Sequence, residues 1–269
     1  MKKRLFIIAV VSVFIGAFYS CDIIDNSERY VEVPMSEINK TVLLEDFTGQ
    51  RCVNCPEAHE IARQLQEQYN HAVIVVAIHA GGLSRPALRT PEGEEYDYKF
   101  NTTGNWPAGA FDRKAILGDV AKWSAEISRR IENPALVNIE MSCEYDENTR
   151  KIDISTTIRA LEQSDDELKL QLWLLESNIV ARQTVPNESD DDLNYVHHHV
   201  LRKAINGTWG ETLPKINKEE SVTVPFTGNL EKEWFLNEDF AKHVSIVGFV
   251  YRASNNEVLQ TVEIKLIKE

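Results

Sequence analysis

From residue 41 the chain alternates between short apolar runs and polar breaks. Thr41 to Phe47 is mostly apolar and reads as a strand. Residues 56–69 place Ala58, Ile61, Ala62, Leu65 and Tyr69 on one face, the spacing of an amphipathic helix. Pro56 suits the first turn of that helix, where its missing N–H costs nothing. Val73 to Ile78 is an unbroken apolar run rich in β-branched residues, as in a strand buried on both faces of a parallel sheet. Strand, helix and strand within so short a span make a βαβ unit. Residues 80–104 are rich in glycine and charge and read as an insertion. Pro107 to Phe111 follows as a short strand. Residues 119–132 carry Val120, Trp123, Ile127 and Ile131 at helical spacing, and Asn133-Pro134 ends that helix.

After Pro134 the period becomes two. Val137, Ile139, Met141, Cys143 and Tyr145 alternate with Asn138, Glu140, Ser142 and Glu144. Residues 146–150 form a turn, and Ile152, Ile154 and Ile158 continue in the same phase. Further strands fit residues 168–176, 195–204, 221–227, 244–252 and 257–267. Alternating strands separated by turns predict an all-β antiparallel sandwich of Ig-like type. The change of period places a domain boundary near residue 134, with an α/β domain over 40–134 and the sandwich over 135–269.

The first twenty residues stand apart. Lys2, Lys3 and Arg4 precede an apolar run from Leu5 to Phe18, and Ser20 precedes Cys21. A basic start, a short apolar run and a small residue before a cut site mark a secretory signal over residues 1–20. Its apolar run is too short for a bilayer span. A cysteine just after the cut resembles the lipobox of bacterial lipoproteins, so Cys21 is the expected lipid attachment site. Residues 21–39, polar and acidic, read as a tether to the membrane. Net charge is −13, and cleavage makes it more negative still. That charge argues against nucleic acid as a partner, because phosphate backbones require clustered Lys and Arg.

Export implies an oxidising compartment. Of the remaining cysteines, Cys143 stands alone on the apolar phase of its strand and reads as a buried thiol. Cys52 and Cys55 lie two residues apart, a poor structural framework but a suitable redox pair. At the start of a helix, the backbone N–H groups and helix dipole stabilise a thiolate, the attacking form in disulfide exchange. Cys52 is then the nucleophile and Cys55, one turn in, the resolving thiol.

The segment Leu43-Leu44-Glu45-Asp46-Phe47-Thr48-Gly49-Gln50-Arg51-Cys52-Val53-Asn54-Cys55 resembles the active-site region of the thioredoxin superfamily. The resemblance implies a thioredoxin-like domain over residues 40–134. It gives Asp46, six residues before Cys52, a role in proton transfer at the resolving cysteine. It also makes Pro107 a cis-proline beside the CxxC, pairing with substrate, with Trp106 facing the disulfide. Arg51 stands where the superfamily has Trp and is placed to stabilise the thiolate. Two other readings of the pair stay open. It can be a disulfide that locks a helix start in a binding protein. Alternatively, Cys52, Cys55 and His59 can hold zinc or copper. His197 and His199, two apart in a predicted strand, are a further candidate chelating pair, although strand-surface histidines are commoner. Trp173, Trp209 and Trp234 read as core or edge aromatics, and residues 187–192 as a solvated loop without EF-hand spacing.

Taken whole, the chain resembles the Omp28-related outer-membrane lipoproteins of the Bacteroidetes. The residues carrying this are Glu45-Asp46-Phe47-Thr48-Gly49 before Cys52 and Cys55-Pro56, and Asn105-Trp106-Pro107. Tyr195-Val196-His197-His198-His199-Val200-Leu201-Arg202 and Asn206-Gly207-Thr208-Trp209-Gly210 complete them. The resemblance implies a thioredoxin-like domain followed by a sandwich at the outer membrane. The expectation is a membrane-anchored thiol–disulfide oxidoreductase or isomerase acting on protein thiols or disulfides. It would need no cofactor and no metal. The competing expectation is a surface binding or adhesion lipoprotein with a structural disulfide. An exposed Cys52 sulfur beside a cis Pro107 favours the first; a buried pair covered by the 80–104 insertion favours the second.

Overall fold

The computed structural model describes residues 38–70, 72–186 and 191–267. The predicted leader, Cys21 and residues 22–37 of the tether lie outside the described residues, as do residues 187–190 of the predicted acidic loop. The fold is mostly β, with a mixed sheet and, among the described residues, three α-helices. No described helix is long and apolar enough to cross a membrane, which says nothing about spanning by strands.

Strand β1 (Val42–Thr48), helix α1 (Cys55–Gln68) and strand β2 (Val73–His79) form the expected unit, with β1 and β2 parallel and fully buried. Helix α2 (Pro91–Phe100) lies inside the predicted insertion. It is capped by the Thr90 hydroxyl, which accepts from the Gly93 N–H, and it places Tyr96 and Phe100 in the core. Strands β3 (Ala108–Phe111) and β4 (Ala115–Leu117) form a hairpin beside β1, and helix α3 (Trp123–Ile131) follows. The remaining strands are β5 (Val137–Asp146), β6 (Lys151–Ala160), β7 (Leu168–Glu176), β8 (Ile179–Val180), β9 (Val196–His197), β10 (Val200–Ala204), β11 (Glu211–Thr212), β12 (Ser221–Asn229), β13 (Val244–Arg252) and β14 (Val258–Lys265).

Nine of these strands join in one sheet, in the order β14-β13-β7-β10-β2-β1-β3-β4, with β11 also paired to β7. Strands from before and after residue 134 therefore share backbone hydrogen bonds, and the described residues form one compact unit. The physical reason lies in β2. An apolar strand buried on both faces is a poor edge, and β10 closes its open side in parallel. Strands β12, β6 and β5 form a separate three-stranded antiparallel sheet. On one face of the large sheet, α1 and α3 cover β1 to β3 through Ala58, Ala62, Leu65, Trp123 and Ile127. On that same face the small sheet covers β7 and β13, with Ile139, Ile152 and Ile158 clustered with Leu170, Leu172 and Ile246. The opposite face carries α2 and the aromatic residues Trp173, Phe249 and Tyr251. Each large aliphatic or phenylalanine side chain buried in these layers contributes about 1.5–3 kcal/mol.

Two buried charge networks tie the halves together. Asp112 accepts from the Leu43 N–H at 3.0 Å and pairs with Arg130 at 3.1 Å and Lys40 at 3.3 Å. Lys40 also donates to the carbonyls of Val258 and Leu259. Arg113 clasps Glu45 at 2.9–3.1 Å, and its guanidinium lies 4.4–5.5 Å from the ring centres of Phe100, Phe249, Tyr96, Tyr251 and Trp173.

Candidate functional site

Cys52 and Cys55 form a disulfide where the loop after β1 enters α1. Cys52 is 4% exposed and Cys55 fully buried. Two segments close over this loop. From residues 81–85, the Leu83 carbonyl accepts the Arg51 N–H at 2.8 Å. Gly49 allows this approach, since a Cβ there would sit 2.8 Å from the Leu83 backbone. From residues 182–184, the Gln183 amide donates to the carbonyls of Cys52 at 3.1 Å, Gly49 at 3.4 Å and Thr184 at 3.1 Å. Thr184 N–H donates to the Gln50 carbonyl at 2.8 Å, and the Gln50 amide donates to the Arg182 carbonyl at 3.0 Å. The first turn of the insertion and a strap more than 130 residues away in sequence thus enclose the pair.

Beside this loop lies a cleft of about 420 Å³. Its floor is the helix-facing side of β1 and β2 at their carboxyl ends, its far wall is α1, and residues 195–199 form the near wall. Ligands gather in crevices outside the carboxyl ends of parallel strands. Asp46 projects into it, 1% exposed, with Oδ1 unpartnered among the described residues. Burial pushes its pKa up to about 7. His59, from α1, has both ring nitrogens engaged, with the Thr48 hydroxyl and the Tyr195 hydroxyl at 2.8 Å each. Burial, then His197 and His198, hold His59 well below the usual histidine range. Its 3.8 Å approach to Asp46 is therefore a contact of a neutral ring, not an ion pair.

His79 ends β2 and His197 ends β9; both are 2% exposed. Their rings face edge-on with centroids 5.2 Å apart. Burial holds both pKa values down, that of His197 to about 4, although the adjacent Ala181 backbone partly opposes the shift without reaching hydrogen-bond geometry. Both imidazoles are therefore neutral at physiological pH.

The predicted site residues divide between these two places. Cys52, Cys55 and Arg51 lie in the enclosed loop, where Arg51 reaches the Gly82 carbonyl at 3.4 Å. Asp46 lies in the cleft. The Trp106–Pro107 peptide is cis and Pro107 is buried. The Trp106 indole lies over Gly81 and donates to Asp97 at 3.1 Å. His59 faces Thr48 and Tyr195, and the two sulfurs are bonded to each other, so the Cys52–Cys55–His59 metal set does not assemble. The predicted strand over 195–204 is also interrupted. His199 adopts a left-handed φ of 49°, splitting β9 from β10, and its ring approaches Glu263 at 3.5 Å while His197 turns inward. Cys143 is half-buried with its pKa pushed up to about 11 by burial. Trp173 is fully buried in the core. Gln50, Gln183, His79 and Tyr195 were not anticipated. Their roles depend on contacts across 118 to 136 residues of chain, which no local spacing encodes.

The fold and site define a mixed-sheet β protein with a covered CxxC disulfide beside a histidine-lined cleft. The sequence model of the Omp28 family, described as outer membrane protein Omp28, matches residues 93–269, and the chain belongs to this family. Among solved structures it is similar to HBP35 of Porphyromonas gingivalis, with 18% identity, 85% of this chain and 76% of that chain covered, and a TM-score of 0.67. It is also similar to protein AGR_C_4864 from Agrobacterium tumefaciens, with 15% identity, 87% and 98% covered, and a TM-score of 0.53. At these identities the likeness is one of fold. No curated protein matches the chain. Family membership points to an outer-membrane location.

Proposed function

We propose that the chain is an outer-membrane lipoprotein, tethered through Cys21, whose folded part is a binding protein with a structural Cys52–Cys55 disulfide. In this reading β1 to β4 with α1 are a thioredoxin-like scaffold, and the β5-β6-β12 sheet over β7 and β13 is the sandwich. The observation that carries the reading is the enclosure of Cys52, 4% exposed, by Leu83 on one side and Gln183 on the other. Exchange requires a thiolate to reach the S–S bond, and the low exposure of Cys52 opposes that approach in the folded protein. Binding falls to the cleft beside the pair, where unpartnered polar groups face one cavity.

A second reading, thiol–disulfide exchange at the membrane, is favoured by one observation. Asp46, six residues before Cys52, is a buried carboxyl with its pKa raised to about 7, suited to proton transfer near neutrality. The two readings separate on access. The full chain in mild detergent is incubated with a glutathione redox buffer and then alkylated, with Cys52→Ser as control. The binding reading predicts an oxidised pair that takes no label until denaturant is added. Rapid formation of a glutathione mixed disulfide at Cys52 in the folded protein would establish exchange instead.

A further inference from the structure

His79 and His197 present four buried ring nitrogens, and among the described residues none has a hydrogen-bond partner. Leaving a buried donor or acceptor unpaired costs roughly 1–3 kcal/mol, so a pair of such rings side by side demands an explanation. Water does not supply it, because each of the four nitrogens is shielded from any water-sized contact. A cation needs less room, since imidazole binds zinc at about 2.0–2.1 Å. Two imidazoles sharing one tetrahedral ion at that distance bring their ring centres to roughly 5 Å. The observed separation is 5.2 Å, with the rings at 73°.

The chemistry agrees with the geometry. Metal ligation needs the neutral imidazole. Asp46 lines the same cavity with an unpartnered carboxyl oxygen, a source of compensating negative charge. His59 is excluded as a ligand in this arrangement. Its nitrogens are occupied, and its centroid lies 6.3 Å from that of His197, too far for a shared tetrahedral ion. It acts as wall, holding Tyr195, whose ring packs 4.8 Å from that of His197. Among the described residues no three His, Cys, Asp or Glu side chains are already gathered for coordination. The histidine pair therefore fills two positions and leaves the others to a further ligand, which Zn²⁺ takes from protein, water or substrate.

We propose that His79 and His197 form a transition-metal site that binds Zn²⁺, or a cation of similar imidazole preference, at the base of the cleft between α1 and residues 195–199. The proposal rests on the binding reading only for its place in this cleft. Its test is separate, because metal affinity is read without reference to the redox state of Cys52 and Cys55.

The chelator-stripped full chain in mild detergent is titrated with Zn²⁺ by calorimetry, beside His79→Gln, His197→Gln and a His198→Gln/His199→Gln control. One equivalent is expected in the wild type and in the control. Loss of a ligand should weaken binding at least roughly 100-fold, beyond the 10- to 100-fold typical of outer-shell changes. Because either glutamine variant can perturb a packed wall, the wild type is also labelled with ¹⁵N-histidine. Zn²⁺ is then expected to shift the ring-nitrogen resonances of His79 and His197. Absence of Zn²⁺ binding in the wild type would overturn the proposal. So would binding lost only in the His198/His199 control, or ring resonances of His79 and His197 that do not move.

Discussion

Asp46→Asn removes a charge from the cleft while keeping the shape of the side chain. The carboxyl is 1% exposed, one oxygen is unpartnered, and burial raises its pKa from 3.8 to about 7. At about 1.4 kcal/mol per pKa unit, ionising it in the folded state costs about 4 kcal/mol. The sign follows from proton counting. The folded-state pKa is the higher one, so between about pH 4 and pH 7 the folded protein binds more protons than the unfolded chain. Stability contributed at this site therefore falls as pH rises through that window. The penalty is absent below it and complete above it. Asparagine has no such window.

The assay is urea unfolding of wild type and Asp46→Asn at about pH 4.5 and about pH 8.5, in chelator so that no cation offsets the charge. Other titrating groups cancel in the difference between the two proteins. The stability gained by the variant should grow by about 3 kcal/mol between the two pH values, because part of the penalty is already present at about pH 4.5; that is a midpoint shift of roughly 1 M urea or more. A difference that does not change with pH would refute the reasoning, because it would mean that the carboxylate keeps its solvation or has a partner in the folded state.

Arg113→Met leaves Glu45 buried without its partner, and should destabilise by about 3–5 kcal/mol in urea unfolding, while Glu45→Leu/Arg113→Met together should recover most of that loss. If the double variant is as unstable as the single one, the aromatic cage around the guanidinium, not the ion pair, dominates. Gln183→Ala removes three hydrogen bonds from the strap over the CxxC loop, at a cost of about 1–3 kcal/mol. It should speed reduction of the disulfide by dithiothreitol in the folded protein. An unchanged rate would show that the strap does not guard the pair.

Much of the fold was legible because its signals are local. The β-branched run at 73–78, the apolar face of residues 56–69 and the period-two strands each encode their element in adjacent residues. What stayed hidden depends on contacts between distant segments. Residues 80–104 read only as an insertion because their charges mask a helix that buries only Tyr96, Phe100 and its amino-terminal turn. The junction of both halves into one sheet turns on β10, a short strand whose pairing with β2 has no sequence signature. At the site, Cys52 and Cys55 were visible from spacing, and Asp46 from the resemblance to the thioredoxin superfamily. The strap through Gln183 was not, since a glutamine between Arg182 and Thr184 looks like any other loop residue. The inward turn of His197 depends on the left-handed residue at His199, and histidine carries no strong signal for that conformation.

In the reading proposed above, Cys52–Cys55 is a structural cross-link. The most direct test is its reduction potential, measured by redox equilibrium of the full chain in mild detergent. A structural disulfide held between Leu83 and Gln183 predicts a value below about −300 mV. A value in the range of known exchangers, roughly −120 to −270 mV, would contradict the claim and return the protein to thiol–disulfide chemistry.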